Sequence, residues 1–152
     1  MAVTINGTTG ISSSGDIVAT GSANIDVGGD GTIGADFLAT SYQEKQVALS
    51  GTSPTVDCAL GNIFTLTTSG TTAFGAVSNV PTTGTAYSFT LIITAGGSHT
   101  VTYDGLGTNV YFSNGNAPPT PSNGETDVLV FMTFDGGTTW YGSVAINAAA
   151  QI

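Results

Sequence analysis

The stretch from Asp127 to Ala145 constrains this chain more than any other, because it reads as a β-hairpin whose first strand has two apolar faces. Asp127-Val128-Leu129-Val130-Phe131-Met132-Thr133-Phe134 is almost wholly apolar and ends at Asp135-Gly136-Gly137-Thr138. The glycines there allow the positive φ angles of a tight reversal. A second apolar and aromatic run, Thr139-Trp140-Tyr141-Gly142-Ser143-Val144-Ala145, follows. Side chains alternate across a strand, so Val128, Val130, Met132 and Phe134 share one face and Leu129 and Phe131 the other. Both faces need cover, which predicts a central position in a two-layer β structure.

The preceding sequence fits that frame. Short apolar runs alternate with turns at Ser69-Gly70, Thr83-Gly84, Gly96-Gly97, Asp104-Gly105 and Asn114-Gly115. Strands are expected over 46–50, 55–60, 62–68, 71–77, 86–94, 98–103 and 109–112, ahead of the hairpin. In the 86–94 run Tyr87, Phe89, Leu91 and Ile93 form one face, while Ser88 and Thr90 lie on the other. That strand belongs beside the hairpin. Ala117-Pro118-Pro119-Thr120-Pro121 lacks three backbone donors, which predicts an exposed loop. Helix signals are nearly absent among 22 glycines. The expected class is all-β: a jelly-roll-like β-sandwich over residues 41–152.

Residues 1–40 read differently. They are rich in Gly, Ser, Thr and Asp and low in aromatics. Ile17, Ile25 and Ile33 recur at a fixed spacing, and Gly21 and Gly29 follow the first two isoleucines at a fixed offset. Each unit resembles one short strand and a turn, too poor in apolar area to fold alone. The favoured expectation is a β stalk in a homotrimer, with these isoleucines meeting on a common axis. The alternative is an extended, flexible Gly-rich arm. Ser41-Tyr42-Gln43-Glu44-Lys45-Gln46, which holds the only basic residue, reads as the hinge. Gly28-Gly29-Asp30-Gly31-Thr32-Ile33 resembles a calcium-binding repeat, but Thr32 takes the slot that needs Asp and no tandem copy follows, so no metal is assigned.

Charge limits the partners. One Lys or Arg against ten Asp and Glu gives a net charge of −9, which cannot neutralise nucleic-acid phosphates. No run reaches transmembrane length, so no membrane insertion is expected. Met1-Ala2-Val3-Thr4 lacks the start of an ordinary secretion signal. Such a chain is expected to be either cytoplasmic or delivered outside by another route, of which assembly into a virus particle is one. Cys58, the single cysteine, excludes an intramolecular disulfide and reads as a small buried hydrophobe. His99 shares a face with Val101 and Tyr103, which points to a core or subunit contact rather than to a catalytic base.

Asp57, Asp104, Glu125, Asp127 and Asp135 are the carboxylates available for glycoside hydrolysis, but no spacing pairs them. The expectation is a non-enzyme without a cofactor. Trp140 and Tyr141 are consecutive, so one points into the core and the other outward. If Tyr141 is the exposed one, it forms with Tyr103 or Tyr111 a stacking platform for sugar rings or a partner protein; the alternative is a capped core edge. The loops from Gly105 to Asn123 are the other candidate recognition surface.

Between about Asn62 and Ala145 the chain resembles a β domain found widely in virion proteins of tailed bacteriophages, often at the ends of tail fibres. The resemblance rests on Ile63-Phe64-Thr65-Leu66-Thr67, Val80-Pro81, Gly84-Thr85-Ala86-Tyr87-Ser88-Phe89-Thr90-Leu91 and His99-Thr100-Val101-Thr102-Tyr103. It continues through Ala117-Pro118-Pro119-Thr120 and Asp127-Val128-Leu129 to Asp135-Gly136-Gly137-Thr138-Thr139-Trp140-Tyr141-Gly142. The polar, glycine-rich segment from Gly105 to Asn116 departs from the longer, Trp-containing segment often found in that domain. The resemblance implies a virion location and a structural role, with no catalytic residues to carry over. The expected function is a short trimeric fibre or appendage, binding itself, other capsid or tail proteins and a host surface glycan. A capsid decoration protein and a carbohydrate-binding adhesin module are the alternatives.

Overall fold

A computed structural model describes residues 44–150 of the chain. They belong to one compact unit, Tyr42–Ile152. The expected stalk, with Ile17, Ile25 and Ile33, lies outside the described residues, as does the Gly28–Ile33 motif.

The described residues are all-β. Eight strands run in chain order: β1 (Gln46–Ala48), β2 (Ile63–Thr67), β3 (Thr72–Ala73), β4 (Tyr87–Thr94), β5 (Val101–Thr102), β6 (Asn109–Tyr111), β7 (Thr126–Thr133) and β8 (Thr139–Ala149). Asp104–Leu106 and Ser113–Gly115 are single 3-10 turns. Six strands form one mixed sheet in the order β1-β2-β4-β7-β8-β6, while β3 and β5 pair separately. β7 is therefore central. It runs antiparallel to β4, from Tyr87 opposite Thr133 to Thr94 opposite Thr126, and antiparallel to β8 on its other side. The pairs β1-β2, β2-β4, β3-β5 and β6-β8 are parallel.

The reversal between β7 and β8 follows the sequence chemistry. Gly136 and Gly137 sit at φ of 72° and 82°. The Thr133 hydroxyl donates to Asp135 Oδ1 at 3.0 Å, and Thr139 N–H donates to the same oxygen at 2.9 Å. Gly137 N–H donates to Thr133 Oγ1 at 3.2 Å. A side chain that satisfies turn amides in this way holds the reversal without a strand ladder.

One face of the large sheet carries the core. Phe64 and Leu66 of β2, Phe89, Leu91 and Ile93 of β4, Leu129 and Phe131 of β7 and Trp140 of β8 are all buried. Val56, Phe74, Val101, Tyr103 and Leu106 join them from the β3-β5 side. The segment from Thr52 to Val56 runs beside β3, where Ala73 N–H donates to Thr52 O and Gly75 N–H to Pro54 O. Phe89 packs on Phe131 at 5.2 Å and edge-on to Trp140 at 5.2 Å. Tyr103 reaches Phe131 across the core at 6.0 Å.

Several expectations change. No strand spans 55–60: only an isolated bridge, Asp57 to Ser78, forms there. Asp57 Oδ1 accepts Ala59 N–H at 2.9 Å and Asn79 Nδ2 at 2.7 Å, so its carboxylate bends the chain into a turn. Cys58 is half-buried rather than enclosed. Ala117–Pro121 is strand-free, yet Pro121 itself is buried. The largest change concerns β7. Its Leu129 and Phe131 face is covered, whereas Val130, Met132 and Phe134 on the other face are exposed.

Candidate assembly and ligand-binding face

The uncovered side of β7 continues sideways because of register. Met132 lies opposite Tyr141 and Val130 opposite Ser143, while Tyr111 of β6 lies opposite Tyr141 on its far side. Cross-strand partners share a face, so these side chains meet on the outside of the sheet. Tyr111 stacks on Tyr141 with ring centroids 5.7 Å apart, and Tyr141 stacks on Phe134 at 5.8 Å. The three rings form a continuous strip, each about half exposed. Val128 and Ile146 extend the apolar surface along the hairpin. Among the described residues, the exposed large hydrophobics are Leu60, Tyr111, Val130, Met132, Phe134, Tyr141, Val144 and Ile146. Every one except Leu60 belongs to β6, to the β7-β8 hairpin or to its turn.

The sequence-predicted platform residues thus separate. Tyr111 and Tyr141 come together on the outer face. Tyr103 does not join them: it is only 3% exposed, stacked on Phe74 at 5.9 Å and against Phe112 at 5.7 Å. Burial pushes its hydroxyl pKa up, and the Asp127 carboxylate adds to that. Tyr103 is a core residue, packed among Phe74, Phe112 and Phe131. Phe134 is the ring that sequence reasoning did not select. Its signal was present, since it stands two residues beyond Met132 on the same face and abuts a turn that brings Tyr141 beside it.

Other candidate groups hold local structure. His99 Nδ1 and Thr68 Oγ1 share a hydrogen bond at 3.0 Å, and Gly96 N–H donates to the same hydroxyl at 3.1 Å. His99 thereby ties the Gly96-Gly97 turn to the end of β2. The half-buried Cys58 has its thiol pKa pushed up, chiefly by desolvation. The nearby Tyr87 hydroxyl donates to Gly61 O at 2.8 Å. Glu125 accepts Ser122 N–H at 2.8 Å, and Asp127, fully buried, accepts Ala148 N–H at 2.7 Å. These carboxylates serve separate backbone segments. No group of three or more His, Cys, Asp or Glu side chains placed to hold a metal occurs among the described residues. No helix among them is long and apolar enough to cross a membrane.

The loops from Gly105 to Asn123 border a recess of about 250 Å³, whose lining includes Val101, Tyr103, Val110, Phe112, Gly115 and Ala117. A second recess, of about 240 Å³, lies along β8 between Phe112, Asn116, Pro118 and Val144. No family model, curated protein or solved structure matches the chain.

Proposed function

We propose that this chain is a structural protein of a tailed-bacteriophage virion, the β-sandwich head of a short homotrimeric fibre or appendage on the particle surface. The six-stranded sheet supplies one layer of the sandwich, and the β3-β5 pair with the Thr52–Val56 segment supplies the other. The observation that carries this reading is the uncharged apolar outer face of the β7-β8 hairpin. Aromatic side chains offer about 150–250 Å² each, so three half-exposed rings present about 300 Å². That area reaches the size of the largest patch on an ordinary monomer, before Val130, Met132 and Ile146 are added. Covering the rings alone gives about 7 kcal/mol at 25 cal/mol per Å². Association costs about 4–15 kcal/mol, a range that the rings alone match only at its lower end, so covering the aliphatic neighbours adds to the stability of an assembly.

Immunogold labelling of a particle that carries the chain tests this reading. Label on the tail or its appendages is expected. Label spread over the capsid shell would replace the fibre by the decoration protein, and absence from purified particles would overturn both.

The Tyr111-Tyr141-Phe134 strip favours one second reading, a carbohydrate-binding adhesin for a host surface glycan. Its rings lie against one another, however, so each covers part of the faces that a sugar would stack upon. Glycan-array binding that disappears with Tyr111→Ala would establish it.

A further inference from the structure

We infer that Met132 is an oxidation site, where a peroxide converts the thioether to a sulfoxide and so places a polar group within an apolar surface. The site is independent of where the chain sits on a particle. Met132 stands on the outer face of β7 between Val130 and Phe134, opposite Ser88 of β4 on one side and Tyr141 of β8 on the other. It is 44% exposed, so its sulfur lies within reach of a small oxidant. A neutral peroxide is not repelled by a chain of net charge −9, as an anionic oxidant would be.

In the step, a lone pair of the Met132 sulfur attacks one oxygen of hydrogen peroxide. The S–O bond forms as the O–O bond breaks, and the second oxygen leaves as water with both peroxide protons. Sulfur is oxidised and the peroxide is reduced. A thioether has no proton to lose, so no neighbouring base is required. Cys58 and Met1 hold the other sulfur atoms, and Met1 lies outside the described residues. Cys58 is half-buried, and desolvation above all pushes its thiol pKa up. Thiolate is the reactive form of cysteine, so Cys58 is poorly disposed to compete in neutral or mildly acid solution.

Oxidation of a buried methionine disrupts a core, but the Met132 side chain is outside it. The sulfoxide therefore leaves the fold intact and changes only the outer face, where a flexible apolar side chain becomes a strong hydrogen-bond acceptor. Covering that acceptor without a donor carries a desolvation cost that the thioether does not. Sulfoxide reductases restore the thioether, so the face can regain its apolar character.

The test treats the full chain with dilute hydrogen peroxide at about pH 5, where the thiolate fraction is low. Cleavage before aspartate then releases residues 127–134, with Met132, apart from residues 57–103, with Cys58. Mass spectrometry should find one added oxygen on the 127–134 fragment, at close to the rate seen in the chain unfolded by urea, while Cys58 stays reduced. The oxidised chain should keep its circular dichroism and leave a phenyl column earlier than untreated chain. Met132→Leu, a swap of similar volume that retains Met1 and Cys58, should show no such shift after the same treatment. A Met132 thioether that survives in the folded chain but not in the unfolded one, Cys58 oxidised ahead of Met132, lost circular dichroism, or an elution shift equal in Met132→Leu would each overturn the inference. None of these outcomes moves the immunogold label, so the virion reading stands or falls separately.

Discussion

Trp140 shows how much a single side chain carries here. It is fully buried, packs edge-on to Phe89, and its Nε1–H has no partner among the described residues. Trp140→Ala should cost about 3–5 kcal/mol in denaturant unfolding followed by circular dichroism. Trp140→Phe should cost less than about 2 kcal/mol, because it keeps a ring and removes an unsatisfied donor. Gly107 approaches the same ring: a Cβ there would lie 2.7 Å from both Trp140 Cδ1 and Gly137 O. Asp135 acts through charge. Hydrogen bonds, first from Thr139 N–H, hold its carboxyl below the ordinary range. A depressed folded pKa contributes stability above the unfolded value of about 3.9 and loses it as pH falls through the lower folded value. Asp135→Asn should therefore lower the unfolding midpoint near neutral pH, and the gap to wild type should close as pH falls from about 5 to about 2. A gap unchanged across that range would show that the turn does not depend on the charge.

At the scale of the element, β8 is the strand under conflicting demands. Two register shifts against β7, at Thr126/Val128 and Val128/Leu129, bend its far end, and Ala148 sits at a φ of 53°. That backbone region is unfavourable for a residue with a Cβ, and bulges of this kind re-aim a strand. The buried Asp127 carboxylate holds the bend by accepting Ala148 N–H. Asp127→Ala should raise amide hydrogen exchange from Ile146 to Ala149, while protection from Leu129 to Phe131 is kept. Uniform loss along β7 would mean that Asp127 supports the whole hairpin rather than its end. The strand identities themselves were legible, since β2, β4, β6, β7 and the start of β8 lie where apolar alternation and turn residues put them. The 55–60 run was misread because Asp57 satisfies turn amides with its own side chain, and a sequence pattern does not show which competitor wins.

Taken together, the described residues form a β structure that leaves apolar side chains exposed on the outside of the hairpin. The hairpin from Asp127 to Ala145 announced itself in the sequence, because glycine conformations and period-two alternation are local properties. Its two apolar faces were equally visible, but which of them packs toward β3 and β5 depends on contacts distant in the chain. Tyr103 and Tyr141 look alike in sequence, as aromatic residues in short strands. Tertiary structure put one beside Phe74 in the core and the other beside Tyr111 and Phe134 in water. The sequence by itself determined a β-rich chain, a central hairpin and a strongly acidic composition. Only the tertiary structure decided that the described residues leave the Val130-Met132-Phe134 face uncovered, because burial is set by packing between strands that no local pattern brings together.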